Sequence, residues 1–139
     1  PANILFATDM RVKIGDLGLV TEMTEAQNIK VTVRSQGVGT HAYMAPEQRE
    51  KCYNSEVDIF PLGLILVELL LIFGSVHEKQ NEWTKMRNGQ LPDKFVEKYP
   101  AEEHMIKLML SKDPKKRPTA DTLKKYFNQT NEDLETRTY

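Results

Sequence analysis

The sequence predicts a mainly α-helical domain that opens with a short β-hairpin and is built around one buried helix. Residues 58–73 are the most apolar run of the chain, and their apolar side chains would cover every face of a helix, as in a helix surrounded by protein. Residues 80–88, 101–110 and 119–127 repeat apolar side chains at helical spacing. Residues 3–14 place apolar side chains at alternate positions on both sides of a turn, as two short strands do.

The composition is that of an ordinary globular domain. The chain has 139 residues, of which 40% are hydrophobic and 28% are charged, so one domain with a sizeable core is expected. The net charge of −1 gives no electrostatic reason to expect nucleic acid or an anionic membrane as a partner. The single cysteine, Cys52, excludes an internal disulfide and a cysteine-rich zinc site. It is typical of a reducing cytosol, so we expect a cytoplasmic protein.

The apolar run at residues 58–73 predicts a buried helix rather than a membrane span. It contains Asp58 and Glu68 and is shorter than the roughly 20 apolar residues that a span needs. Asp58 is expected to cap the helix by accepting from N–H groups of the first turn, and Pro61 near the start loses little by lacking an N–H. Gly63 costs about 1 kcal/mol relative to Ala inside a helix, so we expect another backbone to pass close to it.

Polar segments separate the predicted elements. Residues 21–39 are polar and irregular, and we expect a mobile surface loop there. A short helical turn is expected at residues 47–49, and the Leu-Pro pair at 91–92 should break the chain between two helices. Residues 130–139 have little to bury and are expected to fray. The predicted domain therefore spans residues 1–129.

Asp16 lies between two glycines at the end of the second predicted strand. Flanking glycines allow unusual backbone conformations and the close approach of a ligand. The hairpin is expected to bring the amide oxygen of Asn3 near the Asp16 carboxylate, and two hard oxygen ligands suit Mg²⁺ that holds a phosphate. The alternative is that Asp16 is only a turn residue.

Several motifs in order resemble the catalytic domain of protein kinases. Pro-Ala-Asn at residues 1–3 resembles the end of the catalytic loop, Asp-Leu-Gly at 16–18 the magnesium-binding motif, and Ala-Pro-Glu at 45–47 the end of the activation segment. An apolar helix that begins with Asp, and then Asp-Pro-Lys-Lys-Arg-Pro at 113–118, follow as they do in that family. The resemblance implies the C-lobe of the α+β protein-kinase fold.

The resemblance implies that Asn3 and Asp16 hold the Mg²⁺ ions that bridge the ATP phosphates. Leu17 stands where the family usually has Phe, and it can still pack as an apolar side chain. Thr40 resembles the hydroxyl residue that contacts the catalytic loop and marks serine/threonine kinases, so the implied catalytic residues are Asp16, Asn3 and Thr40. The implied cofactors are ATP and Mg²⁺.

Two further sets of residues take their roles from the same resemblance. Leu5, Ile65 and Leu69 match the apolar column beneath the adenine ring, although plain core packing would explain them equally well. Glu47 is implied to pair with Arg117 in a buried bidentate fork that ties the activation segment to the last helices. Without the family, Arg117 would be assigned to a solvated basic loop.

A narrower resemblance concerns the kinases of the alpha subunit of translation initiation factor 2, and within them the double-stranded-RNA-activated branch. It is carried by residues 13–21, 38–48 and 56–66. It implies that the substrate is this alpha subunit, in translational control under stress or viral infection. The Wee type of cell-cycle kinase also has Leu at position 17 but a different end of the activation segment.

Within that family, the match implies phosphorylation of Ser35, with Thr32 as the neighbouring candidate. The added phosphate would recruit arginines and order the loop. Thr84 matches the helix that docks the substrate. Its alternative is an ordinary exposed threonine on a helix.

The His-Arg-Asp of the catalytic loop, which carries the catalytic base, and the N-lobe are not within residues 1–139. We therefore expect these residues to need the N-lobe of the same kinase as a partner and to transfer no phosphate alone. Two alternatives stay open. One is a non-catalytic kinase-like scaffold that binds a partner through residues 80–88, and the other is a truncated form without either activity.

Overall fold

The computed structural model describes residues 3–15, 42–49 and 54–136. Within these ranges the chain is mainly helical, as predicted, with short 3₁₀ turns at Pro46–Arg49, Ser55–Val57 and Pro114–Lys116. The strands and helices are β1 (Ile4–Phe6), β2 (Val12–Ile14), α1 (Ile59–Leu70), α2 (Val76–Met86), α3 (Asp93–Lys98), α4 (Glu103–Met109) and α5 (Ala120–Thr136).

The predicted hairpin is confirmed. Strands β1 and β2 pair antiparallel with Leu5 opposite Lys13. The turn is closed by the Ala7 N–H, which donates to the Arg11 carbonyl at 2.8 Å, and Met10 adopts a positive φ of 60°. Apolar side chains on this hairpin, including Leu5 and Phe6, are exposed.

The predicted central helix is also confirmed, with shorter bounds. Helix α1 occupies Ile59–Leu70, and the chain becomes extended at Leu71. The side chains of Phe60, Leu64 and Val67 are fully buried, whereas Leu69 is exposed. The core therefore covers α1 on most of its surface but not on every face.

The expected cap at Asp58 is wrong. The backbone of Asp58 is helical (φ −79°, ψ −21°) and its side chain makes no capping hydrogen bond, because a 3₁₀ turn leads directly into α1. The Asp58 N–H instead donates to the Ser55 carbonyl at 3.1 Å. Partial burial raises the pKa of the Asp58 carboxyl above its ordinary value.

Helix α2 begins earlier than the apolar spacing indicates because Ser75 caps it. The Ser75 hydroxyl accepts from the Glu78 N–H at 3.0 Å. The Glu78 carboxylate reaches back to the Gly74 N–H at 2.7 Å. This is close to the reciprocal Ser-x-x-Glu capping pattern. Residues 75–78 therefore carried a start signal that the apolar periodicity did not reveal.

The last three helices differ from the prediction mainly in their limits. The break at residues 91–92 is present, but α3 follows it immediately and was not predicted, since six residues give almost no periodicity. Thr119 caps α5, because its hydroxyl accepts from the Thr122 N–H at 3.2 Å. Helix α5 continues to Thr136, into the segment expected to fray, and the domain boundary at residue 129 stays a prediction.

One hydrophobic core joins the helices. Helix α1 lies at its centre and packs against α4. No helix among the described residues is long and apolar enough to cross a membrane. The buried apolar residues of this core are Ala45, Val57, Ile59, Phe60, Leu64, Val67, Met86, Leu91, Phe95, Ile106, Met109, Leu110 and Leu123.

Gly63 lies at a close contact between α1 and the end of α4. A Cβ atom at Gly63 would lie 3.1 Å from the Met109 Cβ and 3.1 Å from the Leu110 Cδ2. The expected close neighbour therefore exists, although side-chain atoms rather than backbone atoms make the contact. Since the Met109 Cβ is fixed to its backbone, extra volume at Gly63 would push on the whole of α4.

We expect Gly63→Ala to lower the free energy of unfolding by about 1 kcal/mol, because overpacking should exceed the helix propensity gained. Denaturant unfolding of the variant beside wild type measures this difference. Asn128→Ala, at an exposed position of α5, is the control and should be neutral or slightly stabilising. A Gly63→Ala protein more stable than wild type would contradict the close packing.

Candidate active site

The hairpin brings the backbone of Asn3 next to that of Gly15, the residue before Asp16. The Gly15 N–H donates to the Asn3 carbonyl oxygen at 2.7 Å, and Ile4 pairs with Ile14. Asp16 follows Gly15 directly in the sequence but lies outside the described residues. The pairing thus ends one residue before Asp16, as the hairpin prediction required.

The other predicted site residues differ in their exposure to solvent, and three of them lie outside the described residues. Leu5 and Leu69 are exposed, with 53% and 66% of their surfaces accessible, and Ile65 is half-buried. Thr40 and the two candidate phosphorylation sites, Thr32 and Ser35, lie outside the described residues. Within the described ranges, no group of three or more His, Cys, Asp or Glu side chains could hold a metal ion.

The structure brings Glu47 and Arg117 together across 70 residues of sequence. The Arg117 Nη2 donates to one Glu47 carboxylate oxygen at 2.8 Å, and its Nη1 donates to the other. The same guanidinium donates to the Glu56 carbonyl at 2.9 Å and to the Ser111 carbonyl at 2.9 Å. All of these hydrogen bonds come from one guanidinium group, so Arg117 holds the three segments that contain Glu47, Glu56 and Ser111 together.

The Arg117 side chain is fully buried and that of Glu47 is 11% exposed. The Arg117 guanidinium also lies over the ring of Phe60, with its Cζ 5.1 Å from the ring centroid. The pair therefore sits in a dry environment, in which removal of one partner is far more costly than at the surface.

Helix α2 holds the segment that precedes Glu47. The Arg87 Nη1 donates to the carbonyl oxygens of Ala42 and Met44, at 2.8 Å each. The Trp83 Nε1 donates to the same Ala42 carbonyl at 3.0 Å. We call residues 42–44 with these two side chains the α2 clamp.

Tyr43, inside that segment, is fixed from two directions. Its ring meets the Trp83 ring edge to face, with centroids 4.9 Å apart. Its hydroxyl donates to the Glu68 Oε2 at 2.6 Å, and the Lys79 ammonium donates to the Glu68 Oε1. Lys79 also lies 5.5 Å from the centre of the Trp83 ring. Glu68 thus joins α1, α2 and residues 42–44.

These contacts shift two pKa values in opposite directions. Burial, together with the Glu68 carboxylate, raises the pKa of the Tyr43 hydroxyl above its ordinary value. Burial alone would raise the pKa of Glu68, but hydrogen bonds from Lys79 and Tyr43 outweigh it and the pKa falls below the ordinary value. Glu68 is therefore a carboxylate, and Tyr43 a neutral donor, at physiological pH.

Thr84 lies on the exposed side of α2. Its hydroxyl donates to the Gln80 carbonyl at 3.1 Å within the helix. An open depression of about 550 Å³ beside it is also lined by His77, Glu78 and Lys85. The surface predicted to dock a substrate is thus accessible, polar and shallow.

Sequence reasoning missed the roles of Arg87, Trp83 and Glu68. The first two were assigned only to an amphipathic helix, and Glu68 only to the polar exceptions in an apolar run. A tryptophan on a polar helix was a weak signal of an outside contact. Hydrogen bonds to backbone carbonyls leave no partner residue to find in the sequence.

The comparison with known families tests the resemblance noted above. Residues 1–127 match the family described as "Protein kinase domain". This chain belongs to the protein kinase domain family. The bidentate pair of Glu47 and Arg117 and the hairpin before Asp16 are thus features of a kinase C-lobe.

The relatives narrow the family. The chain is 42% identical, over 97% of its length, to eukaryotic translation initiation factor 2-alpha kinase 3 of Bos taurus, and it covers 13% of that protein. It is 39% identical, over 89% of its length, to the interferon-induced, double-stranded RNA-activated protein kinase of Rattus norvegicus, and it covers 24% of that protein. The predicted resemblance to initiation-factor kinases is confirmed, with both branches about equally similar.

The Wee type also appears among the relatives. The chain is 35% identical, over 88% of its length, to the membrane-associated tyrosine- and threonine-specific cdc2-inhibitory kinase wee-1.3 of Caenorhabditis elegans, and it covers 18% of that protein. This identity is lower than the 42% and 39% above. The chain spans less than a quarter of the length of all three curated relatives.

We expect Glu47→Ala and Arg117→Ala each to lower the free energy of unfolding by about 3–5 kcal/mol, because each leaves a buried charge unpaired. Denaturant unfolding at pH 7 measures the loss. Arg11→Ala is the matched control, since Arg11 pairs with Asp9 at the surface with 81% of its side chain exposed, and it should cost at most about 1 kcal/mol. Equal melting of Arg117→Ala and Arg11→Ala would contradict the buried placement.

We expect Glu68→Gln to cost about 1–2 kcal/mol at pH 7, because two charge-assisted hydrogen bonds are weakened. Since the folded-state pKa of Glu68 is lowered, its contribution is present above the unfolded pKa of about 4.3 and lost as the pH falls through the folded value. The stability gap between wild type and variant should therefore shrink in acid. A gap that is constant from pH 7 to below pH 4 would contradict this.

Proposed function

We propose that these residues form the C-lobe of a serine/threonine protein kinase that transfers the γ-phosphate of ATP to a protein. The observation that carries the proposal is the hairpin. It holds the Asn3 backbone against Gly15 at 2.7 Å, one residue before Asp16, in a chain that matches the kinase family over residues 1–127. A scaffold that binds no nucleotide would have no need of Asn3 and Asp16 as two magnesium ligands.

Asn3 and Asp16 are the residues that would hold magnesium. Amide and carboxylate oxygens are the hard donors that Mg²⁺ prefers, so the donor set fits the ion. When bound, the ion neutralises charge on the ATP phosphates. The Leu5 Cδ1 lies 3.4 Å from the position that a Cβ atom at Gly15 would occupy, and Leu5 would supply an apolar surface for the adenine ring.

The chain's own contribution to catalysis is positioning. In phosphoryl transfer, orientation of the reactants and electrostatic stabilisation supply nearly all of the acceleration. Thr40 would contact the catalytic loop and fix the preference for serine and threonine. The described residues that follow it are held by backbone hydrogen bonds to Arg87 and by the pair of Glu47 and Arg117.

The proposed substrate is the alpha subunit of translation initiation factor 2. Two relatives are named as kinases of this subunit: eukaryotic translation initiation factor 2-alpha kinase 3 of Bos taurus and kinase 1 of Mus musculus. They are 42% and 33% identical to this chain. The accessible surface around Thr84 would dock the folded subunit away from the acceptor hydroxyl. Phosphorylation of Ser35, or of Thr32 beside it, would order the preceding loop by attracting arginines.

The N-lobe of the same kinase is the proposed partner within the protein. Exposed apolar side chains on the hairpin, among them Phe6, Val12 and Ile14, favour a protein neighbour on this surface. Direct contact with nucleic acid or membrane is not proposed. The cytosolic location indicated by the single cysteine stays a prediction.

The test is a radiolabelled phosphate-transfer assay on the full-length protein, with the initiation-factor alpha subunit beside a generic basic protein. We expect transfer to the alpha subunit and its loss, by at least about 1,000-fold, in Asp16→Ala, because the charge that holds magnesium is gone. Glu97→Ala, at an exposed position of α3, is the carboxylate control and should retain activity.

Two results would change the proposal. Transfer only to the generic protein would keep the kinase and remove the proposed substrate. Absence of transfer to both proteins would favour the non-catalytic scaffold, in which α2 binds a partner.

Phosphorylation of the loop is tested separately by mass spectrometry of the full-length protein after incubation with Mg²⁺ and ATP. We expect phosphate on Ser35 or Thr32, and slower substrate phosphorylation when both are replaced by alanine, because the loop lacks its ordering charge. An active enzyme whose residues 21–39 carry no phosphate would contradict this assignment.

A further inference from the structure

Helix α2 contacts residues 42–44 through their backbone. Trp83 lies near the end of α2 and Arg87 directly follows that helix. Both donate to the Ala42 carbonyl, at 3.0 Å and 2.8 Å. Arg87 donates from the same nitrogen to the Met44 carbonyl at 2.8 Å. These three hydrogen bonds are independent of the side chains at 42 and 44, so they fix the path of the chain rather than its chemistry.

A donor shared between carbonyls two residues apart restricts the dihedral angles of the residue between them. That residue is Tyr43, whose ring packs against Trp83 and whose hydroxyl reaches Glu68 at 2.6 Å. Both the backbone and the side chain of this position are therefore held by α2 and α1. A shift of α2 must either carry residues 42–44 with it or break these bonds.

The other end of the same segment is held independently. Arg117 binds Glu47, and both Arg87 and Arg117 lie over the ring of Phe60, with their Cζ atoms 5.6 Å and 5.1 Å from its centroid. The segment from residue 42 to residue 47 is thus held at one end by Arg87 and at the other by Arg117, and both arginines contact the same buried aromatic ring. Arg117 is buried, whereas Arg87 is half-buried, so the end held from α2 is the more accessible of the two.

We infer that Arg87 and Trp83 are positioning residues through which helix α2 sets the conformation of residues 42–44, and hence how the kinase receives the acceptor segment of its substrate. This inference rests on the proposed kinase function, since residues 42–44 begin two positions after Thr40. Thr84, on the exposed side of the same helix, is the predicted docking residue. A substrate bound there would act on the acceptor site through the α2 clamp.

The test compares Arg87→Met with Arg11→Met in the full-length protein. Both remove one guanidinium, but Arg11 lies on the exposed turn of the hairpin. Two substrates are used: the folded alpha subunit, and a short serine peptide from its acceptor segment, which is too small to reach α2. Arg87→Lys, which can restore part of the donation, and Trp83→Phe, which loses only the indole N–H, complete the set.

We expect Arg87→Met to raise the KM of the short peptide about ten-fold, the effect of losing charged hydrogen bonds to the segment. The KM for ATP should not change. Trp83→Phe should raise the peptide KM about three-fold, since one neutral hydrogen bond is lost. Arg87→Lys should lie between wild type and Arg87→Met, and Arg11→Met should match wild type.

Three results would overturn the inference. A peptide KM unchanged in Arg87→Met means that the clamp does not position the acceptor. A rise confined to the folded subunit means that Arg87 acts only in docking. An equal rise in the KM for ATP and for peptide, with a lower melting temperature, means a general structural role.

Hydrogen–deuterium exchange separates this inference from the proposed function. Amides of residues 42–48 should exchange faster in Arg87→Met than in Arg11→Met, with the core of α1 unchanged. If wild type transfers no phosphate to any substrate, the proposed function fails, and the exchange result alone decides whether the clamp holds the segment. Equal exchange in both variants would overturn the clamp whatever the activity.

Discussion

The bidentate pair of Glu47 and Arg117 is the interaction on which the rest of the described structure depends. The Arg117 guanidinium is fully buried and also donates to the carbonyls of Glu56 and Ser111. One side chain thus joins the end of the activation segment, the approach to α1 and the loop before α5. Because a buried charge that loses its partners is strongly destabilising, the separation of any one of these three segments from Arg117 would be costly.

Helix α1 gives this joint its geometry. Near its start, Phe60 packs beneath the guanidinium groups of Arg87 and Arg117. Near its end, Glu68 accepts from Tyr43 and Lys79. The two sites lie eight residues apart, about 12 Å along a helix, and both hold residues 42–47. Helix α1 therefore fixes the distance between two points that hold residues 42–47, a segment with little regular structure of its own.

Much of the fold could be predicted because its signals are local. Alternating apolar residues identified the hairpin, and continuous apolar character identified α1. Other features could not be predicted, because neighbouring structure overrode the local signal. The carboxylate of Asp58 does not cap α1 because a 3₁₀ turn sets its backbone in a helical conformation. The six residues of α3 are helical although they are too few to show a period.

The sequence by itself determined the kinase family and, only through that resemblance, the partnership of Glu47 with Arg117, because ordered motifs preserve residue identities that chemistry requires. Only the tertiary structure decided that α2 holds residues 42–44. Arg87 and Trp83 donate there to backbone carbonyls, which every residue possesses, so no pattern of side chains marks the contact. The physical reason is general: a side-chain pair appears in the sequence at both ends, whereas a hydrogen bond to the main chain appears at one end only.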